Sequence, residues 1–195
     1  MKVIALNGSP RLVGNTSNIL AEFLDRLNRD GIETEQIQLY SYDFEPCNDC
    51  RSCEMRGDGR CINEEDGMNE ILSRLRQADG IILASPAYMG ASTGVMRLFL
   101  ERAGLVLAMG DKGLRGKVGA AITVCTHDGG DTAYSELVQW MLHNQLTVVG
   151  AAPAPVFRAQ NSPQYQDDKA AMEGLENLAQ NLSWALRHLA GQKDW

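Results

Sequence analysis

The feature that most narrows the possible folds is an alternation of short apolar runs with amphipathic stripes, repeated five times along the chain. Residues 2 to 7 read as a strand, and Gly8-Ser9-Pro10 breaks it. The next stripe, Ile19, Leu20, Phe23, Leu24 and Leu27, falls on one face of a helix that Gly31 closes. Asn15, Thr16 and Ser17 are all competent caps for its start. Residues 33 to 39 predict a strand too polar for the middle of a sheet and suited to an edge. Helical stripes at Met68, Ile71, Leu72 and Leu75, at Met96, Phe99, Leu100 and Ala103, and at Leu137, Val138, Met141 and Leu142 follow. Strands over residues 80 to 84, 118 to 124 and 146 to 149 alternate with them. Strands joined through helices run parallel and need cover on both faces, so the pattern specifies a doubly wound α/β domain.

A chain of 195 residues has room for one such domain and buries a sizeable core without disulfides or a structural metal. Its net charge of −7 argues against nucleic acid, because phosphate binding needs clustered Lys and Arg. No apolar run approaches the ~20 residues that cross a bilayer, so no membrane partner is expected. The opening residues lack a signal-peptide layout, and the expected location is cytoplasmic. Residues 151 to 163 hold three prolines and read as an extended arm. Leu175, Leu178, Leu182, Ala185 and Leu189 then give an amphipathic helix. The expected organisation is a domain over 1–150, followed by an arm and helix over 151–195 that pack on the domain or on a second subunit.

In doubly wound sheets ligands bind beyond the carboxyl ends of the strands. Three loops lie there: 8–17, 85–93 and 125–131. The first, G-S-P-R-L-V-G-N-T-S, runs from a strand into a helix and offers Ser9, Asn15, Thr16 and Ser17 beside a helix N-terminus. That combination suits a phosphate, and neither the Walker nor the G-x-G-x-x-G pattern is present. Capping alone would also account for these residues. The second, S-P-A-Y-M-G-A-S-T-G, sets Tyr88 and Met89 among small residues and could border a flat ring, or simply end a strand. In the third, Gly129 and Gly130 allow backbone to approach a ligand closely. His127 and Asp128 could titrate there, although a lone histidine is more often polar surface, and no catalytic residue is assigned.

Four of five cysteines crowd into 15 residues with the spacing C-x2-C-x2-C-x7-C, inside an aperiodic stretch over 43–66. Cys47, Cys50 and Cys53 at three-residue steps can wrap one cubane, with Cys61 supplied across a turn containing Gly57, Asp58 and Gly59. Zinc, a redox disulfide through Cys47 and Cys50, and unligated thiols remain alternatives. Cys125, ending an apolar strand, reads as a small buried hydrophobe. Arg51, Arg56 and Arg60 interleave with Glu54, Asp58, Glu64, Glu65 and Asp66, which reads as a solvated mixed-charge loop.

G-S-P-R…G-N-T-S, then S-P-A-Y-M-G…T-G-V-M-R-L-F-L-E-R, then L-R-G-K before a strand and a glycine pair, resembles the NADPH-dependent FMN reductase family over about the first 150 residues. The resemblance implies a flavodoxin-like three-layer sandwich around a five-stranded parallel sheet of order 2-1-3-4-5. It implies FMN, with Ser9, Arg11, Asn15, Thr16 and Ser17 at the phosphate. Pro86, Tyr88, Met89 and Gly90 would then edge the ring, helped by Thr126, Gly129 and Gly130.

The cysteine run after the second strand is similar to that of iron-sulfur flavoproteins, which implies a [4Fe–4S] cluster on Cys47, Cys50, Cys53 and Cys61 and a homodimer or homotetramer. The expected activity is flavin-dependent electron transfer from a ferredoxin-like donor to a quinone, dioxygen or another small oxidant. The alternatives are a cluster-free FMN or quinone reductase taking hydride from NAD(P)H, and a non-catalytic flavin- or zinc-binding interaction protein.

Overall fold

The structure is a computed structural model and describes residues 1–189; the last six residues of the expected C-terminal segment, 190–195, lie outside the described ones. Five parallel strands form the sheet: β1 (Lys2–Asn7), β2 (Glu33–Gln38), β3 (Gly80–Pro86), β4 (Val118–Cys125) and β5 (Thr147–Val148). Their order is β2-β1-β3-β4-β5, the expected flavodoxin-like arrangement. β2 sits at the edge with only Ile37 buried, as its polar sequence requires.

Alternate residues of the central strands feed two cores. Val3, Ala5, Ile82, Ala120 and Ile122 pack with α1 (Asn15–Arg29) and α6 (Lys169–Leu189). Ile4, Leu6, Ile81, Leu83 and Ala121 pack on the other face with α3 (Met68–Gln77), α4 (Gly94–Met109) and α5 (Gly130–His143). Leu175, Leu178, Leu182 and Leu186 of α6 are fully covered within this single chain. Each contributes about 1.5–3 kcal/mol by burial.

The fifth sheet position departs from expectation. β5 pairs only with Val118 and Gly119, and the chain then leaves the sheet. It returns as β6 (Val156–Arg158), pairing with Thr123, Val124 and Cys125. The stretch read as a plain arm therefore adds a sixth strand. Pro153 and Pro155 cannot donate to a ladder, so the strand starts only after them. The aperiodic stretch over 43–66 likewise holds a short helix, α2 (Ser52–Arg56), carrying Cys53.

Parallel strands in this register bring the ends of β1, β3 and β4 to one edge, with Asn7 opposite Ala84 and Ala84 opposite Ile122. The loops after these three strands converge there.

Candidate functional site

The first loop is held from several sides. Gly8 N–H donates to the Ala84 carbonyl at 2.8 Å, and the Gly8 carbonyl accepts from Thr93 Oγ1 at 2.6 Å. Asn7 Nδ2 donates to Ser17 Oγ at 3.0 Å, and Ser17 Oγ donates to the Arg11 carbonyl at 2.9 Å. Ser9 Oγ accepts from Arg11 N–H at 3.2 Å, and the Ser9 carbonyl accepts from Gln38 Nε2 at 2.6 Å. These bonds set the shape of the loop.

Asn15, Thr16 and Ser17 do not cap α1 as the sequence suggests. The cap is Gly14, extended at φ −147°, with no side-chain hydrogen bond, and the three residues form the buried first turn. Among the described residues no side-chain cap bond is made to that turn, whose free amides carry the positive end of the helix dipole. Asn15 Oδ1 is buried without a partner, a polar atom that lacks something to bind.

Ser9, Arg11, Asn15 and Thr16 line a cavity of about 240 Å³ together with Pro86, Tyr88 and Thr126. Ser17 does not line it and instead braces the loop. Met89 and Gly90 are the centre of a tight turn in which Tyr88 and Ala91 exchange N–H···O bonds of 2.8 and 3.2 Å. Both have positive φ, 52° and 79°, as such a turn requires. Met89 is wholly exposed at the rim. Gly129, at φ +78°, caps α5, and a Cβ there would lie 2.8 Å from Gly90 Cα. It lets the second and third loops touch, and Gly130 packs against Cys125 and Val156. Ala159, Gln160 and Asn161 complete the lining, delivered by β6. Sequence reading missed them because β6 was hidden among prolines. A neighbouring recess of about 470 Å³ shares Thr126, Ala159 and Gln160 and holds His127 with Arg158, Asp167 and Asp168.

A second cavity, of about 340 Å³, lies between the 43–66 loop and α4. Cys47, Cys50, Cys53 and Cys61 all line it, opposite Arg102, Leu105, Val106 and Met109. All four thiols are free, yet among the described residues no three His, Cys, Asp or Glu side chains converge on one metal position. Asp49 and Arg51 flank Cys50 with φ of 51° and 58°, a left-handed backbone that costs non-glycine residues about 1–2 kcal/mol each.

Side chains from α3 and α4 hold the loop. Glu101 Oε1 accepts from Cys47 N–H at 3.0 Å. Asn69 accepts from Cys61 N–H at 2.8 Å and donates to the Cys61 carbonyl at 2.9 Å. Arg51, Arg56 and Arg60 pair at the surface with Glu54, Asp58 and Glu64, as a solvated mixed-charge loop should. Asp66 is the exception, its side chain only 7% exposed and paired with Arg102 of α4.

Thiol environments differ. Hydrogen bonds from Ser52 lower the pKa of exposed Cys50, whereas burial raises those of Cys53 and Cys125. In metal-free protein at pH 7, iodoacetamide should therefore label Cys50 first and Cys125 last, as peptide mass spectrometry would read. Equal rates at these two positions would contradict the environments described.

The sheet order and the polar cavity at its carboxyl edge define a flavodoxin-like domain, and the family it falls in makes it a flavin-dependent oxidoreductase. The chain belongs to the NADPH-dependent FMN reductase family, whose model matches residues 1–159. It is 38% identical over 152 residues to an iron-sulfur flavoprotein of Methanocaldococcus jannaschii, covering 77% of this chain and 76% of that protein. An iron-sulfur flavoprotein of Methanosarcina thermophila is 32% identical over 152 residues, covering 77% and 78%. Among solved structures, RosB with bound 8-demethyl-8-formylriboflavin-5'-phosphate superposes with a TM-score of 0.76 at 20% identity, over 97% of this chain and 80% of that one. At that identity the likeness concerns the fold.

Proposed function

We propose that this protein is an FMN-dependent electron-transfer oxidoreductase that also carries a [4Fe–4S] cluster. A ferredoxin-like protein or NAD(P)H would supply electrons, and a small oxidant would receive them. The observation that carries this reading is the presence of two separately built cavities, one a polar cradle at a helix N-terminus and one lined by four free thiols. The names of the relatives above agree with it.

The residues of the first cavity suit a phosphate monoester: open amides of α1, the orphan Asn15 side chain, Ser9, Thr16 and exposed Arg11. The Tyr88–Ala91 turn and Thr126 would border the ring, and the recess beside them would admit the oxidant. In the second, four thiols spread around a cavity suit a cubane, which takes ligands at separate corners. Mononuclear zinc needs its donors about 2.3 Å from a single point. A reducing, cytoplasmic setting would keep these thiols free for iron. When bound, the cluster supplies one-electron transfer and the flavin couples one- and two-electron chemistry.

The Cys-lined cavity begins at Arg102, eight residues along α4 from the end nearest the flavin loops. That is about 12 Å of helix. Leu12, Val13 and Met89 are strongly exposed around the flavin loops, a surface suited to a second copy of the chain. We therefore expect a homodimer or homotetramer, which light scattering would test.

An anaerobic absorption spectrum with iron, sulfide and FMN assayed on one sample decides the main reading. Iron and sulfide near four per chain beside FMN support it. FMN without iron after anaerobic reconstitution leaves a cluster-free NAD(P)H-dependent reductase.

A further inference from the structure

Three carbonyls of the first loop are each held by a side chain that stands outside the polar cavity. Thr93 Oγ1, at the cap of α4, donates to the Gly8 carbonyl at 2.6 Å. Ser17 Oγ donates to the Arg11 carbonyl at 2.9 Å. Gln38 Nε2, at the end of β2, donates to the Ser9 carbonyl at 2.6 Å. Ser9, Arg11, Gly14 and Asn15 line the cavity, whereas Thr93, Ser17 and Gln38 do not. The oxygen ends of these three peptides are therefore drawn to groups behind the cavity wall.

That arrangement matters most at Ser9. The next residue is Pro10, which has no N–H to offer an anion. The N–H of Ser9 itself is taken by Asn7 Oδ1 at 2.9 Å. Rotated inward, the Ser9 carbonyl would meet an anion as a repulsive dipole with no amide beside it to compensate. Gln38 is placed to prevent this by strand register, since it pairs with Asn7 across β1 and β2. Its side chain makes no other hydrogen bond among the described residues, and its Oε1 is buried without a partner. An unmet amide oxygen is unfavourable, so stability alone gives little reason for a glutamine there.

We propose that Gln38 is a positioning residue that gives the cavity its preference for a phosphate-bearing flavin over an uncharged one. It acts through the Ser9 carbonyl and does not line the cavity itself. This deepens the FMN reading above and rests on it. With that carbonyl held back, the free amides of α1, Arg11 and Asn15 set the sign of the field at the phosphate end. Without Gln38 the same donors remain, but the carbonyl is released to turn toward the anion and offset them. A flavin lacking the phosphate carries no charge there, so its binding is indifferent to the change.

The test compares FMN with riboflavin on the whole flavin-free chain by fluorescence titration, with urea unfolding as the check on folding. Wild-type protein should bind FMN more tightly than riboflavin. Q38M keeps the length of the side chain and removes the donor. It should lose about tenfold in FMN affinity while riboflavin affinity stays within about twofold. A loosened scaffold would weaken both flavins alike, so the ratio separates positioning from structure. Q38A makes the same deletion should Q38M fail to fold. Failure of both to fold makes Gln38 part of the scaffold and overturns the proposal. An unchanged ratio in a folded variant, including a parallel loss of both flavins, overturns this inference and leaves FMN binding standing. A wild-type protein that binds both flavins equally removes the phosphate reading of the cavity and this inference with it.

Discussion

On the iron-sulfur reading, replacing Cys53 or Cys61 by serine should remove most of the iron and leave FMN at its wild-type stoichiometry. The two cavities have no lining residue in common, since the loops of the polar cavity come from the sheet edge and the thiols from the 43–66 loop and α2. A serine hydroxyl stays protonated near neutral pH and is a poor ligand for iron in a sulfide cluster, so isosteric exchange removes the donor without removing the shape. Folding should survive, because both thiols are only partly buried and neither forms a disulfide. Cys47→Ser and Cys50→Ser should behave alike. Cys125→Ser is the contrasting variant. The residue is 4% exposed and lines the polar cavity at the sheet edge, so iron should stay while stability falls by about 1 kcal/mol or more for a buried hydroxyl. Iron, sulfide and flavin assays on all five variants check this. Full iron in every one of the first four would move the metal elsewhere, and a parallel loss of FMN would mean that the two sites are one.

The sheet was legible because its signal is local. Val3 and Ala5 feed one core while Ile4 and Leu6 feed the other, which only a strand covered on both faces permits. β6 was not legible, since three residues between prolines and polar loops carry no periodicity and its partner lies in β4. With it went Ala159, Gln160 and Asn161, whose place in the polar cavity depends wholly on that pairing. The four cysteines were legible by spacing, but the side chains that hold them were not. Asp66 reads as one more acid in a charged loop, and Arg102 as one of several polar residues on α4. Their mutual burial is set by the packing of α4 against the loop. Asn69, clasping both backbone groups of Cys61, reads only as a polar residue at a helix start.

Asn15→Ala should weaken FMN binding about tenfold while leaving the flavin-free protein within about 0.5 kcal/mol of wild-type stability. The two effects separate because Asn15 does nothing for the empty fold that its burial would require: its Oδ1 is buried and unpartnered. Alanine removes that unmet acceptor and is the better helix former at the first position of α1. With a phosphate present, rotation of the amide offers Nδ2–H in place of the oxygen, a hydrogen bond to a charged acceptor worth about 1.5–3 kcal/mol. Ser17→Ala supplies the contrast. Its hydroxyl joins Asn7 to the Arg11 carbonyl, so its loss should lower both stability and affinity by loosening the loop. FMN fluorescence titration and urea unfolding of the flavin-free protein read the two quantities independently. Equal losses of stability in both variants would make Asn15 part of the scaffold, and an unchanged FMN affinity in Asn15→Ala would remove it from the phosphate site. A selective loss of affinity would identify the first turn of α1 as the anchor of the flavin, because only a bound group gives that buried side chain a partner.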